Sequence, residues 1–187
     1  MTSKHSTVAI FLIFLLSVLP ARAQGYFIPP HKGYSGFGCF VQRIEKGGSD
    51  MVLTPEIEWT VGGHLDAGLQ GRIGLHNVKS DSGTLLGAMP FLRFHAFIFG
   101  NYLDPFMDFG IGAERIRYDV SGESIYKVDV GLHPGIRFPF MGSSLFYMQI
   151  GFIGYQYNTI PGESMKSRFC FFRHDATDIR VGLLFYL

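Results

Sequence analysis

The residues of this chain that could do chemistry are seven histidines, two cysteines and an interleaved set of acids and arginines. A zinc site draws its ligands from short spacings such as H-x-H, H-x-x-x-H or C-x-x-C. None of these occurs after residue 23. His95 and His133 are better read as two histidines inside a polar network. A hydrolase acting on lipid would need a serine, a histidine and an acid in mutual reach. The only such grouping along the chain is His174 beside Asp175, with Ser164 or Ser167 nearby. Adjacent residues of a strand point to opposite faces, so His174 and Asp175 cannot orient one another as a triad requires. Gly110-x-Gly112 has no helix after it to bind phosphate. No catalytic residue, metal or cofactor is expected.

The charged residues are instead arranged by parity. Met51, Leu53, Pro55, Ile57, Trp59 and Val61 alternate with Val52, Thr54, Glu56, Glu58 and Thr60. After Gly62-Gly63-His64 the alternation resumes, with Leu65, Ala67, Leu69, Ile73 and Leu75 against Asp66, Gln70 and Arg72. From Tyr126 to Phe140 the even positions are apolar, while the odd ones carry Lys127, Asp129, Gly131, His133, Gly135 and Arg137. Ile179 to Leu187 repeats the pattern, with Asp178 and Arg180 on the other face. Period-two alternation marks strands with two unlike faces, and the recurring glycines disfavour helix.

Further strands are predicted at about 34–44, 85–99, 103–116 and 144–157, making eight. The links near 62–64, 100–102 and 141–143 read as short; those near 45–50, 76–84, 117–124 and 158–170 read as longer and polar. Pro105 and Pro139 fall near strand ends, whereas Pro55, Pro90 and Pro134 are expected at bulges, since proline cannot donate to a ladder.

Composition narrows the setting. The chain is 47% hydrophobic, 16% aromatic and 17% charged, too apolar to remain an open coil. Sixteen basic against fifteen acidic residues leave no basic field, so nucleic acid is not an expected partner. Lys4 and His5 precede an apolar run from Val8 to Leu19, Pro20 breaks it, and Ala21-Arg22-Ala23 offers small residues where a signal peptidase reads. Residues 1–23 are therefore expected to be a cleaved signal peptide, leaving 24–187 as one β-barrel domain. No later stretch is long and apolar enough for a membrane-spanning helix. In hydrocarbon every backbone polar group must be paired internally, so an exported chain of this kind spans as a closed barrel or not at all.

Polarity favours the membrane. A soluble lipocalin-like carrier has an apolar interior and a charged exterior. Here one face is nearly free of charge, and the other holds Glu56, Glu58, Asp66, Arg72, Arg93, His95, Asp108, Glu114, Lys127, Asp129, His133, Arg137 and Arg180. These thirteen are the expected polar network of the lumen. An eight-stranded barrel has an interior just wide enough for its own side chains, so this one is expected to be plugged. Trp59, Tyr34, Tyr102, Tyr118, Tyr126, Tyr147, Tyr155 and Tyr157 are expected to supply interfacial girdles where they fall near strand ends. Cys39 and Cys170 are expected to be free or loop-located thiols.

The leader, the eight strands, the segment Pro105-Phe106-Met107-Asp108-Phe109-Gly110-Ile111-Gly112-Ala113 and the alternating end Ile179 to Leu187 together resemble the small outer-membrane β-barrels of Gram-negative bacteria. These are the OmpX/OmpA-like barrel domains, common as single-domain proteins in Bacteroidetes. The resemblance covers about residues 26–187. It implies an outer-membrane location, with lipid and the barrel-assembly machinery as partners and a surface ligand at the long loops. That family's assembly signal usually ends in Phe; this chain ends in Leu187. The activity expected is structural or surface-interacting and not enzymatic, with a lipid-modifying barrel enzyme or a secreted lipocalin-like carrier as the alternatives. With an even strand number both termini share one side, which the short links mark as periplasmic.

Overall fold

The computed structural model describes residues 33–44, 48–62, 64–78, 81–95, 102–140, 144–159, 166–171 and 179–187. The expected leader lies outside the described residues, as do Ser164, His174 and Asp175.

The strand segments are β1 (Gly33–Ile44), β2 (Gly48–Gly62), β3 (Leu65–Val78), β4 (Asp81–His95), β5 (Asp104–Tyr118), β6 (Ser124–Pro139), β7 (Ser144–Ile150), β8 (Ile153–Thr159), β9 (Lys166–Cys170) and β10 (Ile179–Tyr186). Neighbours β1 through β6 pair in sequence order, all antiparallel. β6 then pairs with β7 along one half and with β8 along the other. β10 lies on β7 and β9 on β8. Thus β7 with β8 fills one position in the wall, β9 with β10 fills the next, and pairing of β1 with β10 closes the ring. The fold is a closed, eight-stranded antiparallel barrel.

The break between β7 and β8 is a bulge. Three steps along β6, from Leu132 to Gly135, face four steps from Gln149 to Ile153. Gly151 takes φ +79° there, which only glycine adopts without strain. The extra residue switches parity, so the interior positions are odd-numbered in β7 (Tyr147, Gln149) and even-numbered in β8 (Gly154). Pro134 sits on β6 opposite this bulge, as expected. Pro55 and Pro90 do not mark bulges. The β2–β3 register runs unshifted from Leu53↔Ile73 to Glu56↔Gln70, and the β4–β5 register from Ala88↔Ala113 to Phe91↔Gly110. Each of those prolines interrupts the pairing on one side while the strand runs straight through.

Connector lengths depart from expectation. β3 and β4 meet at Val78↔Asp81, leaving only residues 79 and 80 where a link over 76–84 was expected. Ser82, Gly83 and Thr84 are small or polar and read as loop, but they pair with Asn77, His76 and Leu75. β4 accordingly spans Asp81–His95 in place of 85–99. β1 and β2 meet at Ile44↔Gly48, leaving 45–47. At the opposite end, the β4–β5 link occupies 96–103, where a short one was expected. No consistent division into short turns and long loops distinguishes the two ends.

The wall is inside-out relative to a soluble barrel. Met51, Ile73, Leu86 and Ile111 point outward and are 65%, 52%, 64% and 50% exposed, while Glu58, Gln70, Arg93 and Asp108 point inward and are fully buried. Interior glycines make space for large neighbours on adjacent strands. A Cβ built on Gly68 would strike the Phe91 ring, one on Gly135 the Phe106 ring, and one on Gly112 the Asp129 carboxylate.

Two of the expected girdle tyrosines are interior residues. Tyr34 and Tyr147 are 2% and 0% exposed and cluster with Phe106, Leu145 and Leu184. They lie near strand ends, but they share parity with the polar face: Tyr34 stands opposite Glu58 and Tyr147 opposite Arg137. Tyr118 likewise turns toward His76, 3.0 Å from its ring nitrogen. Trp59, Tyr102, Tyr126 and Tyr155 are exposed, and Tyr157 is half-buried. Both cysteines are free: Cys39 is exposed on the outward parity of β1, and Cys170 is buried inside β9, so the wall separates them.

Candidate functional site: a charged barrel interior

Between two apolar layers the interior is filled by ion pairs. The layer nearer the chain termini is the Tyr34–Phe106–Leu145–Tyr147–Leu184 cluster; the layer at the far end is Val52, Leu85 and Ile116, with Tyr118 and Ile125 against it. The parity of six strands delivers the charged groups between them.

Arg93 on β4 is the hub. Its Nε and Nη2 donate to the two carboxylate oxygens of Asp108 at 2.7 and 2.8 Å, Nη2 also reaches Glu56 Oε1 at 2.9 Å, and Nη1 donates to Glu58. The guanidinium lies over the Phe106 ring, 4.2 Å from its centroid, and within 5.0 Å of Phe91. A planar fork with five donors suits such multiple recognition, where lysine would offer a single point charge. Gln70 extends the lattice by donating to Glu56 Oε2 at 2.8 Å, and Gln149 by donating to Asp108. Arg180 donates to the side-chain oxygens of both glutamines.

Toward the termini, Arg137 donates to Asp104 and to Glu58 Oε1, the latter at 2.9 Å. His95 bridges two acids, with Nε2 at 2.9 Å from Asp66 and Nδ1 at 2.9 Å from Asp104. Toward the other end, Arg72 donates to Glu114 and to Asp129 Oδ1, the latter at 3.0 Å. His133 lies 3.7 Å from Asp129 and packs on Phe152, whose side chain the bulge turns inward.

Eleven of the thirteen predicted network residues are buried in the interior; Glu114 and Lys127 are half-buried and face each other across β5 and β6. Sequence reasoning missed Asp104, Gln149 and His76, and placed Gln70 on the polar face without including it in the network. Asp104 shares parity with Asp108 and Glu114, so counting two positions further back would have found it. Gln149 sits on a strand whose period is reset by the bulge, and nothing in the alternation exposes it.

The arrangement pairs acids with guanidiniums from other strands. Glu56, Glu58, Asp104, Asp108, Glu114 and Asp129 each accept from an arginine on another strand, and Asp66 from His95. Among the described residues, no group of three or more His, Cys, Asp or Glu is arranged to hold a metal ion. With the bore filled by Arg93, Tyr147, Tyr34, Phe106 and Met89, the wild-type protein in planar bilayers is expected to give no large, stable conductance steps. Such steps would show that the interior opens.

No family model matches this chain, and no curated protein matches it. Among solved structures, the chain is similar to the crystal structure of Neisserial surface protein A. The TM-score is 0.48 at 14% identity, over 81% of this chain and 90% of that one.

Proposed function

We propose that the protein is an integral outer-membrane barrel without enzymatic activity, a rigid wall whose links present a surface for interaction. One observation carries this reading: the exposed side of the wall is apolar and the buried side is charged. Contiguous apolar surface of this extent is foreign to a soluble monomer, and it suits hydrocarbon. On β5 the outward run from Pro105 to Ala113 is uncharged. At ~3.3 Å per residue and a tilt of ~40°, it rises roughly 20 Å, close to the ~25 Å apolar band of such barrels.

Outer-membrane lipid and the assembly machinery are the partners this reading implies. The OmpX/OmpA-like type, the cleaved leader at 1–23 and periplasmic termini belong to the same proposal. The lattice supplies rigidity, since Arg72, Arg93 and Arg137 each tie three or more strands. The links at 119–123 and 160–165, on the end away from the termini, are the surface offered to a ligand.

Fractionation tests the proposal. After an alkaline wash the protein is expected to stay with outer membranes and to run faster on a gel unheated than boiled. A lipocalin-like carrier would leave with the supernatant. A lipid-modifying enzyme would change the mass spectrum of lipid A when its gene is deleted, and no change is expected.

A further inference from the structure

We propose that Arg115 and Arg117, with Ser124, form a binding site for the phosphate of an anionic membrane lipid on the outer wall of the barrel. The inference rests on the membrane-spanning reading above. Among the described strand side chains that point outward, these two arginines are the only charged ones, and they lie two residues apart on β5. Both are exposed. They begin where the apolar belt stops: the next outward residue toward the termini is Ala113, followed by Ile111 and Phe109.

A cation facing lipid is costly at the bilayer midplane and costs little at the interface, so this is the depth at which arginines are tolerated. It is also the depth of lipid headgroups. Neither guanidinium has a carboxylate partner among the described residues. Glu114, the adjacent acid, is taken by Arg72 in the interior, and Asp119 accepts a hydrogen bond from the Ser82 hydroxyl at 3.0 Å.

The surroundings orient Arg115. Its Nε and Nη2 both donate to Ser124 Oγ, at 3.2 and 3.1 Å, and its guanidinium carbon lies 5.9 Å from the Tyr126 ring centroid. The serine oxygen accepts here, which leaves its own hydrogen to donate outward. Arg117 is registered directly opposite Ser124 on β6 and Thr84 on β4. Two guanidiniums and two hydroxyls thus face a single region from three adjacent strands. Guanidiniums recognise phosphate oxygens through paired N–H donors, and the apolar rows below suit acyl chains. A phosphate carrying two tails satisfies both halves of the surface, whereas free phosphate satisfies only the upper one.

The test uses the full protein refolded in detergent, with native mass spectrometry to count bound lipid. Phosphatidic acid is the probe, diacylglycerol the control with tails but no phosphate, and inorganic phosphate the competitor. The wild type is expected to retain phosphatidic acid, and the R115Q/R117Q double variant to bind it roughly thirtyfold more weakly, about what two guanidinium contacts supply. Diacylglycerol is expected to bind both proteins weakly and equally. Equal binding of phosphatidic acid by both proteins would overturn the site. Displacement by inorganic phosphate at matching concentration would overturn its lipid character. Unheated gel mobility and flotation with zwitterionic vesicles separate the two levels. Loss of insertion there would sink the membrane reading, while insertion without phosphate selectivity would sink only this site.

Discussion

Replacing Arg93 with methionine is expected to cost about 3–5 kcal/mol of unfolding free energy, the cost of leaving buried charges without their partner. Arg93 has no exposed surface, and neither do the side chains of Glu56, Glu58 and Asp108 that it holds. Methionine fills much of the same volume over Phe106 and Phe91, so the packing loss is small and the electrostatic loss dominates. Of the three acids left behind, only Glu58 has another guanidinium on it, that of Arg137. Arg93→Lys keeps the charge but not the fork and is expected to lose less. Pairing Arg93→Met with Asp108→Asn should recover part of the loss, because the second change removes one of the stranded charges.

Trp59 is the single tryptophan, placed outward near the strand end, so its emission can follow urea-driven unfolding from lipid vesicles. A loss below about 1 kcal/mol would mean that water reaches the acids and that the lattice contributes little.

What the sequence made legible was the polarity of the wall. Parity on a strand is preserved as long as the register is unbroken, and β2, β3, β5 and β6 keep theirs over long runs. Glu56, Glu58, Asp66, Arg72, Asp129 and Arg137 could therefore be placed inside without any knowledge of what they touch. The partners were not legible. Arg137 lies 79 residues from Glu58, and Arg180 lies 110 from Gln70; only the closed ring brings them together.

Three features of the structure escape the alternation, each for its own physical reason. Composition marks polar Ser82 and Thr84 as loop, although their backbones continue the ladder. Tyr34 and Tyr147 were placed by their position along the strand, when parity decides whether an aromatic meets lipid or the lumen. The bulge at Gly151 resets parity with one residue, and a single glycine among 24 carries no distinguishing mark.

Gly182→Leu should destabilise the barrel by about 3 kcal/mol, at the upper end of overpacking costs. Gly182 on β10 stands opposite Gly38 on β1 and Tyr147 on β7. A Cβ there would lie 2.5 Å from the Phe37 carbonyl oxygen and closer still to the Tyr147 ring. The ring could move only by leaving a packed layer, and the carbonyl belongs to the backbone of the seam that closes the ring, so neither neighbour yields cheaply. Val181→Leu, next door on the outward face, adds bulk toward lipid and is expected to change stability by less than about 0.5 kcal/mol. The urea titration used for Arg93 reads both variants, with unheated gel mobility reporting whether the barrel has closed. If Gly182→Leu folds with wild-type stability, Tyr147 does not need the space that Gly38 and Gly182 leave it, and the pairing of glycines with large interior side chains is not what holds the seam together.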